Sequence, residues 1–217
     1  MKQLTKYNRV ATYLNKIYDN LNADFFGGEM ERPVITIQSS PKAYGHYTLY
    51  DAWSISGNGI REINIGAGTL SRNIENVIST LLHEMCHQYN DMKNIKDTSR
   101  GNTYHNKNFK KTAEERGLNI SRDEKYGWTI TEPAETLIDW ILENDLTNIP
   151  MNRNEFYGFG TGAGGGQADG NEGTKTPPKK SSYRKYRCPI CNLTARTTRE
   201  ARLVCGDCSE EMVQEGF

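Results

Sequence analysis

The sequence predicts an α+β fold, with one moderate domain and a small second module behind it. Three observations predict it. Apolar residues recur at three- and four-residue steps in several windows, with short β-branched runs between them. The most cleanly two-faced of those windows contains His83-Glu84-Met85-Cys86-His87. Far downstream, beyond a glycine-dominated stretch, Cys188-Pro189-Ile190-Cys191 and Cys205-Gly206-Asp207-Cys208 stand thirteen residues apart, a spacing that suits a metal-held hairpin. A chain of 217 residues with 35% hydrophobic content has room for one core and a satellite.

Leu4, Tyr7, Val10, Leu14, Ile17 and Leu21 share one face, which predicts an amphipathic helix over residues 3–24, ended by Gly27-Gly28. Pro33 opens Val34-Ile35-Thr36-Ile37, a run suited to a strand. Strands over 44–50 and 62–65 flank Gly57-Asn58-Gly59, a turn signal that predicts a hairpin between them. Gly66-Ala67-Gly68 leads into the motif helix, which Ser71 or Asn73 caps and which runs to about Asp91. The next helix is capped by Asn108 and ended by Gly117. After Leu118-Asn119-Ile120 and a loop, Thr131 caps and Pro133 opens a last packing helix with Leu137, Ile138, Ile141 and Leu142 on its apolar face. From residue 147 to 182 periodicity collapses. Glycine fills eight of the sixteen positions from 158 to 173, and Pro177-Pro178 follows, which predicts a flexible linker with an r.m.s. span of about 25 to 30 Å.

The chain has only four histidines, so two of them bracketing a glutamate is hard to get from composition alone. Each helical residue turns about 100°, which sets His83 and His87 within about 40° of one another with Glu84 on their flank. Ile74, Ile78, Leu81, Leu82 and Met85 fall on the opposite side, while the small or polar Asn76, Ser79 and Thr80 occupy the front. Two neutral imidazoles leave Zn²⁺ electrophilic, and the adjacent carboxylate can take a proton from a water that the metal acidifies. That is the chemistry of amide hydrolysis. The plainer reading, two histidines on a wet helix face, leaves the division of faces unexplained. Cys86 falls on the side away from Glu84 and reads as a packing residue.

A catalytic zinc site usually has three protein ligands and one open position. The extended pattern HExxHxxGxxH fails, because Asn90 and Lys93 stand at its glycine and third histidine. Glu114 or Glu115 on the following helix, and His105 just before it, remain; His105 is preferred as a nitrogen ligand at a helix entrance. His46 is a candidate to line the cleft or polarise a substrate carbonyl, although a surface strand histidine is the stronger reading. Tyr104 is a candidate for transition-state hydrogen bonding.

Leu81-Leu82-His83-Glu84-Met85-Cys86-His87, followed by Tyr104-His105-Asn106-Lys107-Asn108-Phe109, resembles the SprT-like zinc metalloproteases, the group of SprT and Spartan. In that family HExxH is followed by a His-Gly-x-x-Phe element. Asn22-Ala23-Asp24-Phe25-Phe26-Gly27-Gly28 and Ile63-Asn64-Ile65 are similar to the family's lead-in. The resemblance covers roughly residues 10–130 and recurs in the C-terminal module. It implies a zincin-like minimal metalloprotease domain over residues 1–146 and a zinc ribbon at the C-terminus. It also implies that His83, His87 and His105 hold a catalytic Zn²⁺, that Glu84 is the catalytic acid and base, and that Phe109 is the helix aromatic. Asn106 stands where the family has glycine, at a place expected to need a left-handed turn, which asparagine tolerates better than most residues.

Residues 183–217 are the predicted zinc ribbon, with Cys188, Cys191, Cys205 and Cys208 gripping a structural Zn²⁺. So short a module buries too little apolar area to fold alone, so the metal supplies much of the stability. Net formal charge is zero, yet nine Lys or Arg stand against one acid, Glu200, between Lys175 and Cys205. An uneven basic end points to a polyanionic partner. Tyr183, Arg184, Lys185, Tyr186 and Arg187 precede the first knuckle, and Arg196, Arg199 and Arg202 line the spacer. These are the candidate nucleic-acid contacts, because cations neutralise phosphates and aromatics stack on unpaired bases such as those of single-stranded DNA.

No apolar run of signal-peptide or membrane-span length is present, and the cysteines are spaced as metal ligands. A soluble, cytoplasmic protein without a membrane partner is therefore expected. The expected function is that of a zinc-dependent endopeptidase, and the resemblance implies proteins bound or crosslinked to DNA as its substrates, a role in DNA–protein crosslink repair. One alternative is a nucleic-acid-binding protein whose HExxH domain is a metal-stabilised scaffold with little or no turnover; another is a hydrolase of non-peptide amides.

Overall fold

In the computed structural model, which describes residues 4–40, 43–154, 184–197 and 200–214, the first apolar stripe becomes helix α1 (Tyr7–Phe26). Val10, Leu14, Ile17, Tyr18 and Leu21 on that stripe are each at most 1% exposed. Burying one such side chain is worth roughly 1.5–3 kcal/mol, so this face anchors the core. The chain then forms β1 (Val34–Gln38), β2 (Gly45–Tyr47), a short hairpin of β3 (Trp53–Ile55) and β4 (Asn58–Ile60), and β5 (Glu62–Gly66). Strand β5 lies between β1, which runs parallel to it, and β2, which runs antiparallel. All five residues of β5 are buried. The strands expected over 44–50 and 62–65 do pair, but Gly57-Asn58-Gly59 does not join them. The turn belongs to the extra hairpin, whose Ser56 and Gly57 both have positive φ (53° and 86°), as a tight two-residue hairpin turn requires.

After a 3-10 turn over Ala67–Thr69 comes α2 (Ile74–Met92), the helix that carries the motif. Asn73 is its N-cap position, as expected, but the side chain that reaches its first N–H is that of Asn148, whose Oδ1 lies 2.8 Å from Ile74 N. Next come β6 (Thr98–Ser99), β7 (Tyr104–His105), α3 (Lys107–Glu114), β8 (Leu118–Asp123) and β9 (Gly127–Pro133), with the strands ordered β6-β7-β9-β8 in a second sheet. Helix α2 packs against β2 and β5 of the first sheet and against β9 and α3, so the motif helix is the central element of the unit.

Three expectations are corrected here. Asn106, not Asn108, caps α3: its Oδ1 accepts from the N–H groups of Asn108 (2.7 Å) and Phe109 (3.3 Å) at φ −95°. No left-handed turn forms, and helix capping accounts for asparagine at this position. Thr131 and Pro133 do not open the last helix. They lie in β9, with Thr131 opposite Ile120 of β8, and α4 (Glu135–Glu143) starts after Ala134. Finally, the folded chain passes the boundary expected at residue 146. Ile149 is 1% exposed within the core, and Arg153 N–H bonds Ala67 O at 2.9 Å. Of the expected linker, residues 155–182 lie outside the described residues.

The second unit consists of β10 (Arg184–Arg187), β11 (Thr194–Thr197) and β12 (Val213–Gln214), antiparallel in the order β11-β10-β12. Its buried set among the described residues is Tyr186, Cys188, Cys205 and Met212. Among the described residues no helix is long and apolar enough to cross a membrane.

Candidate active site and metal-ligand clusters

Helix α2 presents His83 and His87 one turn apart, and β7 delivers His105 opposite them immediately before α3. His105 Nε2 lies 3.3 Å from His83 Nε2 and 3.0 Å from His87 Nε2. Glu114 and Glu115, the other candidates for a third ligand, face Lys110 (3.5 Å) and Lys111 (4.0 Å) on α3 instead. The position of His105 depends on a glycine. Gly127, at φ 76°, passes so close to β7 that a Cβ there would lie 2.2 Å from His105 O and 2.8 Å from the Tyr104 ring. Beneath the imidazoles lies Phe109, fully buried, with ring centroids 4.5 Å from His83, 4.5 Å from His87 and 4.7 Å from His105.

Hydrogen bonds fix the ring orientations. Thr131 Oγ1 donates its proton to Thr129 O (3.1 Å), so at 2.8 Å it accepts from His83 Nδ1. His87 Nδ1 lies 2.7 Å from the Asp97 carboxylate, which can only accept. In a neutral imidazole, donation at Nδ1 leaves the lone pair on Nε2. Burial, with His87 and His105 nearby, holds His83 well below the ordinary histidine range, and burial with His87 pushes His105 down to about 4. These two rings are neutral at pH 7.

The donor set fits a cation. A proton on His105 Nε2 can bridge to only one of the two lone pairs that face it, which leaves at least one repulsive contact, whereas a metal satisfies all three. Tetrahedral zinc with Zn–N of about 2.0–2.1 Å sets its ligand nitrogens about 3.3 Å apart, close to the observed spacings. His105 Nδ1 is buried with no hydrogen-bond partner among the described residues.

Sequence reasoning missed Asp97, Thr131 and Gly45. Asp97 accepts from His87 and from Asn90 Nδ2 (3.1 Å), and Asn90 Oδ1 accepts from Thr112 Oγ1 (2.8 Å). Burial alone would raise the Asp97 carboxyl, but the bonds from His87 and Asn90 hold it below its ordinary value. Gly45 lets β2 lie against the helix. A Cβ there would be 2.8 Å from Asn64 O, 3.0 Å from Thr80 Cγ2 and 3.3 Å from Glu84 Cγ. Glu84 is 6% exposed, burial pushes its pKa up to about 7, and Tyr47 N–H bonds its carboxylate.

The remaining candidates are dispersed. Cys86 is fully buried and burial pushes its thiol upward, as suits a packing residue. His46 lies exposed on edge strand β2, 3.5 Å from Ser40 Oγ. Tyr104 carries Arg100 over its ring at 4.7 Å.

In the second unit, Cys188, Cys191, Cys205 and Cys208 bring their sulfurs within 4.8 Å of one another, with Cys191 and Cys205 at 3.6 Å. Tetrahedral zinc with Zn–S of about 2.3 Å predicts about 3.8 Å. The backbone N–H groups of Cys191 and Ile190 favour thiolate at Cys188. Tyr186 is corrected as a stacking candidate: it is 4% exposed, and its hydroxyl accepts from Ala201 N at 3.2 Å. Lys185 and Arg196 stand directly opposite each other, and Arg187 shares their face of the sheet by strand alternation. Arg184 is on the Tyr186 face, and Arg202 pairs with Glu211 at 3.1 Å. Tyr183 and Arg199 lie outside the described residues.

Residues 14–124 match the SprT-like family. No curated protein and no solved structure shows a significant match.

Proposed function

The chain belongs to the SprT-like family, and from that premise we propose that it is a zinc-dependent endopeptidase with a zincin-like active site. The observation that carries the reading is the convergence of three imidazole Nε2 atoms beside the buried carboxylate of Glu84. His83, His87 and His105 would hold the ion, which when bound supplies a Lewis acid that polarises a carbonyl and acidifies a water. Glu84 takes the proton at a carboxylate oxygen and passes it to the nitrogen of the leaving amine. Burial raises the Glu84 carboxyl above its ordinary range, which favours uptake of that proton. Asp97 and Thr131 hold the imidazoles in the tautomer that turns a lone pair inward.

We further propose that the second unit is a structural zinc ribbon that brings the enzyme to DNA. Lys185 stands opposite Arg196 in the β10–β11 register, and Arg187 shares their face by strand alternation. Three cations gathered on one face suit a chain of phosphates. Proteins bound or crosslinked to DNA are then the substrates within reach.

The test is zinc content together with turnover. The full chain should bind two zinc ions. Glu84→Gln should keep both yet lose roughly 10²- to 10⁴-fold in cleavage of a protein crosslinked to single-stranded DNA. Equal activity, or equal inertness, of wild type and Glu84→Gln would overturn the peptidase reading and leave a metal-stabilised nucleic-acid-binding scaffold.

A further inference from the structure

The front of α2 faces one cation that the chemistry above does not use. Arg72, in the turn ahead of α2, lays its guanidinium on the Tyr44 ring, 4.0 Å from the centroid. Its Nε donates to Thr69 O at 2.9 Å and its Nη2 to Thr80 Oγ1 at 3.0 Å. The Thr80 hydroxyl gives its own proton to Asn76 O (3.0 Å), so towards Arg72 it is a neutral acceptor. Arg32, Arg61 and Arg116 each have a carboxylate oxygen within 4.0 Å. Arg72 has none among the described residues, and only Tyr44 acts on its charge. Burial pushes its pKa down to about 10, which still leaves it fully charged at neutral pH. A half-buried guanidinium without a counter-ion carries a desolvation cost that an incoming anion repays.

Its position says which anion. Thr80 and Glu84 are one helical turn apart on the same face, about 5–6 Å between their Cβ atoms. Gly45 of β2 passes over both, as its close approach to Thr80 Cγ2 and Glu84 Cγ shows. An extended peptide advances about 3.3 Å per residue, so a side chain one or two residues from the reacting bond reaches Arg72. With Nε and Nη2 engaged by Thr69 and Thr80, Nη1 has no hydrogen bond among the described residues and is the donor left for one carboxylate oxygen; a phosphate chain would call for a series of cations along its path.

Resting on the peptidase reading, we propose that Arg72 is a specificity-determining residue that binds the carboxylate of an Asp or Glu side chain one or two residues from the bond cleaved. The test uses full-length protein and paired peptides that differ only in Glu or Gln at each position flanking the cleavage point. Cleavage is read as kcat/KM with wild-type enzyme, and binding is read as Kd with Glu84→Gln. The Glu peptide should be favoured by about tenfold or more, the size of one charge-assisted hydrogen bond. The ratio should fall to near one in Arg72→Gln, survive in part in Arg72→Lys, and turn towards a Lys peptide in Arg72→Glu. Zinc content and thermal unfolding of these variants show that they are folded.

Equal handling of Glu and Gln peptides by wild type overturns the assignment, as does a preference that persists in Arg72→Gln. A loss confined to binding of a single-stranded oligonucleotide in Arg72→Gln also overturns it, in favour of a phosphate. If the Glu peptide binds preferentially through Arg72 but nothing is cleaved, the peptidase reading fails and the carboxylate site stands. If peptides are cleaved without acidic preference, only the Arg72 assignment fails.

Discussion

His83, His87 and His105 rest on the ring of Phe109, inside a unit whose core gathers side chains from α1, both sheets, α2, α3 and α4. Cys188, Cys191, Cys205 and Cys208 have no such foundation. Of the four residues buried among the described residues of their unit, two are cysteines of the cluster, Cys188 and Cys205, and the others are Tyr186 and Met212. The first cluster is attached to a fold that apolar burial already holds together. In the second, ligands and core are nearly the same atoms. On the proposed two-zinc reading, the same element would play two physical parts: it would add chemistry to one unit and supply most of the folding free energy of the other.

Removing one ligand from each cluster breaks the comparison most directly. Structural zinc in small modules contributes about 10–16 kcal/mol, far more than two buried side chains provide. Cys205→Ser should therefore abolish amide-exchange protection throughout residues 184–214 and leave residues 4–154 protected as before. His105→Ala should remove the other ion with helices and sheets intact. Hydrogen exchange read by segment distinguishes the two, and retained protection in the Cys205→Ser ribbon would show that its core suffices without metal.

The next largest effect lies under the imidazoles. Phe109→Ala opens a cavity at a fully buried site and should cost the first unit about 3–5 kcal/mol. The three rings should also tilt and zinc affinity fall, because their common floor is gone. Calorimetry should show the first unit's transition moving down while the ribbon's stays in place. Asp97→Asn is milder for the fold. It keeps the shape but replaces the carboxylate that orients His87, and loss of such a partner typically weakens metal binding 10- to 100-fold. Competition with a zinc chelator reads this directly.

How much of this was legible in the sequence depended on whether the cause was local. HExxH, the paired Cys-x-x-Cys motifs and the stripe of α1 are local patterns, and the structure places each of them where helix period and ligand spacing predicted. Asp97, Thr131 and Asn148 act across 10, 48 and 74 residues of chain, and nothing near them marks their partners. A Thr two residues before a Pro has the chemistry of a helix start, yet the ladder of Thr131 with Ile120 prevails. Strand β8 was readable in principle, since Leu118 and Ile120 alternate buried with exposed Asn119 and Ser121. The glycine at position 45 looked like any other until the distance to Glu84 gave it a reason.

The smallest effect separates cations within the ribbon. Lys185, Arg187 and Arg196 gather on one face by register, away from Arg202, which meets Glu211 at 3.1 Å with both side chains more than half exposed. An exposed pair of that kind is worth at most about 1 kcal/mol, and its acid already cancels the charge that a phosphate would seek. Each phosphate neutralised on a single strand contributes about 0.7 to the slope of log K against log salt. Arg196→Ala should therefore lower that slope by about 0.7 and weaken binding to all single-stranded sequences alike. Arg202→Ala should change it by much less. A titration of fluorescent oligonucleotide over a range of salt measures both, and an equal drop in the two variants would show that charge count, and not the face set by β10 and β11, governs the interaction.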